Sequence, residues 1–155
     1  MRKTFVFVSV VALVLVGAAV AWGGGRHVSQ PMVVHVIEHD DNLTTTDLGP
    51  AGDSEGDLLS WLNKDYDASN TNVVGKDQGS CIRTSVAAGA WQCSWTTWIF
   101  GQGSITVEGP FYDTHNSTLA ITGGTGNFKN ARGEMSLLYH NPQGTQYDFI
   151  FHLEP

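Results

Sequence analysis

From Ser80 onward the chain is broken at short, regular intervals by glycine, proline, asparagine and aspartate, and this spacing limits the fold more than any other feature. Ser80–Val86, Trp91–Phe100, Ser104–Glu108, Thr118–Thr122, Gly133–Tyr139 and Gln146–Leu153 are rich in β-branched and aromatic residues. Clusters such as Gly101-Gln102-Gly103, Gly109-Pro110, Gly123-Gly124-Thr125-Gly126 and Asn141-Pro142-Gln143-Gly144 separate them. Glycine and asparagine supply turn conformations that other residues resist, so each cluster reads as a reversal between antiparallel strands. Many short strands at even spacing predict an all-β sandwich or barrel. Upstream, Met32–His39 and Leu58–Tyr66 are further strand candidates, the second short enough to be a helix. Asp40–Asp57 reads as a loop, and its 18 residues are long for a connection. A short turn is expected near Asn127–Ala131. With 18 glycines and only 15% charged residues, the composition agrees with a turn-rich β protein.

The N-terminus bears on location. Arg2 and Lys3 precede the uncharged run Phe5–Val20, which ends in Ala19-Val20-Ala21. A positive start, an apolar stretch and small residues at its end form the layout of a secretory signal peptide. The expected organisation is a signal peptide over 1–21, a flexible tether over 22–31 and one β-barrel domain over 32–155. The competing reading is an uncleaved membrane anchor, since 18 residues from Phe5 to Trp22 can span a bilayer. After cleavage no stable membrane association is expected. The formal net charge of −7 argues against nucleic acid as a partner.

In an oxidising compartment the two cysteines, Cys81 and Cys93, become a disulfide candidate. Ala87-Ala88-Gly89 between them reads as a hairpin turn, about which they are nearly symmetric, so they face each other across two antiparallel strands. Two free thiols are the alternative. Alternation along strands places Val34, Val36, Glu38 and Asp40 on one face, Leu59, Trp61 and Asn63 on another, and Trp91, Cys93, Trp95 and Thr97 on a third. Tyr147, Phe149, Phe151 and Leu153 share a fourth. An interior of this kind is aromatic with a few polar groups, which suits a small-molecule pocket and equally an ordinary packed core.

Four segments carry a specific resemblance: Gly56–Asp67 (GDLLSWLNKDYD), Val74–Cys81 (VGKDQGSC), Gly103–Phe111 (GSITVEGPF) and Thr118–Met135 (TLAITGGTGNFKNARGEM). They resemble plant allene oxide cyclases, and the last also resembles the dirigent proteins of the same barrel superfamily. The resemblance implies an eight-stranded antiparallel barrel whose lumen takes a small apolar, oxygenated ligand, with no cofactor and no metal. In those cyclases an unstable fatty-acid epoxide opens to a delocalised cation and closes to a cyclopentenone. Carried over by position, Glu38 matches the acidic residue, Asn63 an asparagine that helps hold a water on the epoxide oxygen, and Cys81 a lumenal cysteine. Trp91 matches an aromatic whose face stabilises the cation. Asp40 stands where the family has an asparagine, and Phe111 where it has a tyrosine. A serine-proline pair that follows the first strand in the family has no counterpart in Leu43-Thr44-Thr45-Thr46.

The expected catalytic set is therefore Glu38, Asn63 and Cys81, with Asp40, Trp61, Trp91 and Phe111 binding the substrate. A Cys81–Cys93 bridge would use up the thiol. Three functions remain in competition: a cofactor-independent cyclase or isomerase, a non-catalytic dirigent-like or lipocalin-like carrier of a lipid, terpenoid or phenolic, and a surface module presenting Trp61, Trp95 or Trp98. The superfamily also makes a homo-oligomer a candidate. The glycines of Gly123–Gly126 lack the lysine and serine or threonine of a phosphate cradle. His35 and His39 with His152 form a weak metal candidate, surface histidines being the plainer reading.

Overall fold

A computed structural model describes residues 31–155, so the expected signal peptide and nearly all of the expected tether lie outside the described residues. The rest is all β. The strands are β1 (Met32–His39), β2 (Leu43–Thr46), β3 (Leu58–Asp67), β4 (Val73–Ser85), β5 (Ala90–Ile99), β6 (Gly103–Tyr112), β7 (Ser117–Gly124), β8 (Gly133–Tyr139) and β9 (Gln146–Leu153). One 3-10 turn, Gly126–Phe128, falls where a short turn is expected. The sheet runs β1-β9-β8-β7-β6-β5-β4-β3-β2, and β1 also pairs with β3. That last pairing closes a barrel of eight antiparallel strands and leaves β2 as an addition on β3. The expected eight-stranded antiparallel barrel is the observed architecture.

β1 and β2 lie in succession along a single edge of β3. Val36–His39 pair with Asp67–Lys64, and Leu43–Thr46 pair with Trp61–Leu58. Asp40, Asp41 and Asn42 on one side oppose only Leu62 and Asn63 on the other, so the pairing is broken by one extra residue, as at a bulge. The region expected as a single long loop, Asp40–Asp57, thus contains a strand. The remainder is ordered by Asp57, whose carboxylate accepts hydrogen bonds from the Leu48 and Ser54 amides and the Ser54 hydroxyl. Arg83, 5% exposed, fastens the same loop by pairing with Asp53.

The lower part of the barrel is packed shut. Ile105, Val107, Leu119, Met135 and Phe151 are essentially inaccessible, and Phe128 of the 3-10 turn is buried with them. Met32 and Leu153 pair at this end, so both ends of the described chain leave the barrel on the side remote from Glu38. Toward the other end the lumen holds Trp61 and Trp95 in an edge-to-face contact, 5.9 Å between ring centroids. Gly79 makes this contact feasible. It lies opposite both tryptophans, and a Cβ there would sit 2.3 Å from the Trp95 Cβ.

Cys81 and Cys93 are register partners on β4 and β5, as the hairpin symmetry predicts, and they form a disulfide. A catalytic role for a Cys81 thiol is thereby corrected: the sulfur is bonded and has no thiol to offer. Closing a loop with a sequence separation of 12 restricts the unfolded chain. Replacing both cysteines by serine should lower the unfolding free energy by about 3 kcal/mol, read from urea denaturation.

Candidate functional site

One end of the barrel opens into a pocket. Its wall combines Leu43, Leu59, Leu137, the Cys81–Cys93 disulfide and the rings of Trp61, Trp95, Phe111, Tyr147 and Phe149 with Glu38, Asp40 and Asn63. Apolar walls with a few convergent polar groups are the usual make-up of a small-molecule site. Of the expected site residues, Glu38, Asn63, Cys81, Asp40, Trp61 and Phe111 meet here. Trp91 does not line the pocket. Its indole N–H donates to Asp113, and the Arg83 guanidinium lies 4.4 Å from its ring centre, so its face is already occupied by a protein cation.

Glu38 is held by closure. It is 4% exposed and pairs across the sheet with Asp65 on one side and Tyr147 on the other. The Asn63 side-chain amide donates a short hydrogen bond to Glu38 Oε1 and a longer one, 3.5 Å, to Asp40 Oδ1. Its carbonyl oxygen accepts from the Asn42 backbone N–H at 2.9 Å. Asn63 therefore ties the interrupted edge to the acid. The second Glu38 oxygen makes no hydrogen bond among the described residues.

The electrostatics set the protonation state. Burial, then the nearby Asp77, push the Glu38 carboxyl well above the usual carboxylate range, against the lowering effect of the Asn63 hydrogen bond. Burial raises Asp40 as well. Both shifts favour the protonated form of these carboxyls over the ionised one.

Two further carboxyls, absent from the expected set, stand behind Glu38. Asp65 is 0% exposed, and neither of its oxygens has a hydrogen-bond partner. Asp77, also 0% exposed, accepts from the Trp61 indole N–H and is otherwise unpartnered. Burial raises Asp77 to about 7. Burial and the Asp77 charge raise Asp65 to about 9. Asp65 continues the Leu59-Trp61-Asn63 alternation by one step, so the parity rule contains it. Asp77 lies in the half of β4 whose inward positions are Gly75, Asp77 and Gly79, with no apolar side chain to mark a buried face.

The metal reading finds no support in these positions. His35 bonds Asp148, His39 bonds Asn70, and among the described residues no group of three His, Cys, Asp or Glu side chains is placed to hold a metal ion. Of the tryptophans suggested as surface platforms, Trp95 is 3% exposed and Trp61 lines the lumen, while Trp98 is on the surface.

The architecture is a closed eight-stranded β-barrel whose aromatic interior opens at one end, with an acid in its wall. The family model of the dirigent-like proteins matches residues 60–154, and this chain is a member of that family. Solved structures agree on the fold. Pyocyanin demethylase superposes with a TM-score of 0.66 at 22% identity, over 77% of this chain and 100% of that one. The pterocarpan synthase dirigent protein PsPTS1 gives 0.65 at 19% identity, over 82% of this chain and 98% of that one. The Diels Alderase AbmU from Streptomyces koyangensis gives 0.59 at 16% identity, over 77% of this chain and 64% of that one. These neighbours thus include both a dirigent protein and barrels named for a reaction.

Protonation of the buried carboxyls makes stability depend on pH. A carboxyl like Asp65 titrates at about 3.9 in an unfolded chain, and in the fold at about 9. Between these values the folded protein keeps a proton that the unfolded chain has released, so stability falls as pH rises. The melting temperature should decline from about pH 5 to about pH 9, and Asp65→Asn should flatten the decline and raise the alkaline melting temperature by roughly 5 °C.

Proposed function

We propose that this chain is a cofactor-independent cyclase or isomerase that acts on a small, apolar, oxygenated molecule in the barrel lumen, with Glu38 as its general acid. The observation that supports this most is the setting of Glu38: a buried carboxyl, oriented through one oxygen by Asn63 and pushed by burial toward its protonated form, in the wall of an aromatic pocket. In this reading the free carboxyl oxygen donates its proton to an oxygen of the substrate as a carbon–oxygen bond breaks. The positive charge left on carbon lies beside the new carboxylate and against the pocket's aromatic faces. Ring closure then releases a proton, which returns to Glu38. The walls hold the substrate folded and keep water from trapping the cation.

Membership of the dirigent-like family favours a second reading, a non-catalytic carrier that binds such a molecule and steers or stores it. The two part on turnover. Native mass spectrometry of the protein from its secretion medium would identify the bound molecule, expected at one small apolar ligand per chain. With that molecule or its precursor as substrate, Glu38→Gln should lower turnover by about 100-fold or more while leaving binding within about threefold. Binding with no turnover by the unaltered protein would favour the carrier.

Export is part of the same proposal, and the disulfide supports it, since such bonds persist in oxidising compartments. Sequencing the N-terminus of the secreted protein should give Trp22 as the first residue; an intact Met1 on a membrane-bound form would favour the anchor.

A further inference from the structure

The ionisable side chains around the pocket are nearly all of one sign. Its lining contains Glu38 and Asp40 and no lysine, arginine or histidine. Behind the wall stand Asp65, opposite Glu38, and Asp77, joined to the lining through the Trp61 indole. Outside it, Asp41 adds to the negative field at Asp40. Arg83, two residues along β4 from Cys81, does not offset these groups. It pairs with both Asp53 and Asp113, so that trio carries a net negative charge, and its guanidinium lies over Trp91. The other cations of the described chain are elsewhere. Lys64 and Lys76 occupy outward positions of β3 and β4, with Lys76 over Trp98, and Lys129 and Arg132 follow the 3-10 turn at the packed end.

A carboxylate brought into such a pocket finds no counter-ion, and at the mouth it meets Asp40, the lining carboxyl that stays partly solvated and can ionise. A cation finds five aromatic rings in the lining, whose faces attract positive charge, and two carboxyls able to ionise beside it. We propose that the pocket sorts ligands by charge, taking flat aromatic molecules that are neutral or cationic and rejecting those that carry a carboxylate, with Asp40 at the mouth as a specificity-determining residue. This rests on the ligand-pocket reading above and departs from the fatty-acid substrate implied by the allene oxide cyclase resemblance. It points instead to aromatic ligands that carry no carboxylate. Asp40 is the discriminating group because it lines the pocket while remaining partly solvated, so its charge acts on a ligand as it enters.

Three probes of similar shape test the idea: naphthol, naphthoate and N-methylquinolinium, titrated by calorimetry into the oxidised protein and into Asp40→Asn. N-methylquinolinium and naphthol should each bind at least about tenfold more tightly than naphthoate at low salt. In Asp40→Asn the gap between N-methylquinolinium and naphthoate should narrow by about threefold or more, with naphthol little changed. Naphthoate binding as tightly as naphthol would overturn charge sorting and leave the ligand pocket standing. A gap that Asp40→Asn leaves intact would overturn the role of Asp40. Failure of both naphthol and N-methylquinolinium to bind would overturn the inference together with the pocket reading on which it rests.

Discussion

The barrel closes where four residues of β1, Val36–His39, pair with Lys64–Asp67 of β3, and the interior takes its chemistry from that short seam. β3 must accept β2 on the same edge, and the three residues Asp40–Asn42 oppose two. The mismatch leaves backbone groups to satisfy. The Asn42 N–H finds its acceptor in the side chain of Asn63, which fixes that amide and turns its N–H group onto Glu38. The orientation of the acid is thus a consequence of how the barrel closes. Cross-strand pairing then sets Asp65 directly opposite Glu38, and the next pairing places Asp77 opposite Asn63.

Three carboxyls inside one small barrel are expensive to bury as anions. Desolvation and mutual repulsion raise all three and favour their neutral forms. Apolar side chains of similar size would fill these positions at less cost to stability. Packing alone does not call for them, and the rest of the barrel supplies the stability that permits them: a dense lower core, a cross-strand disulfide and a long loop fastened by Arg83 and Asp57.

The strands from β5 to β9 were legible in the sequence because most of their inward positions carry valine, isoleucine, leucine, methionine or aromatic rings, although β6 runs on to Tyr112 through Gly109-Pro110, which reads as a turn. The disulfide was legible from the symmetry of Cys81 and Cys93 about a turn. One strand and half of another escaped for opposite reasons. The first half of β4 presents glycine and aspartate inward, because Trp61 and Trp95 from its neighbours already fill the space beside it. β2 is exposed along its whole length and so has no buried face to betray it. Glu38, Asn63 and Trp61 were placed in the lumen by parity and by family resemblance together, and they line the pocket. Trp91 shows the limit of that reasoning. It occupies an inward position as parity requires, yet its partner is Arg83, a pairing across strands that alternation along a single strand does not reveal.

The pairing of Met32 with Leu153 gives the barrel a polarity. Chain entering at Pro31 and chain leaving at Pro155 both attach beneath the packed core, at the base of the cup, while the aromatic opening lies at the opposite pole. Anything held close to either end of the described residues, whether a fused domain or a solid support, therefore lies at the pole opposite the opening. Access to the pocket would remain unobstructed even in a protein immobilised there.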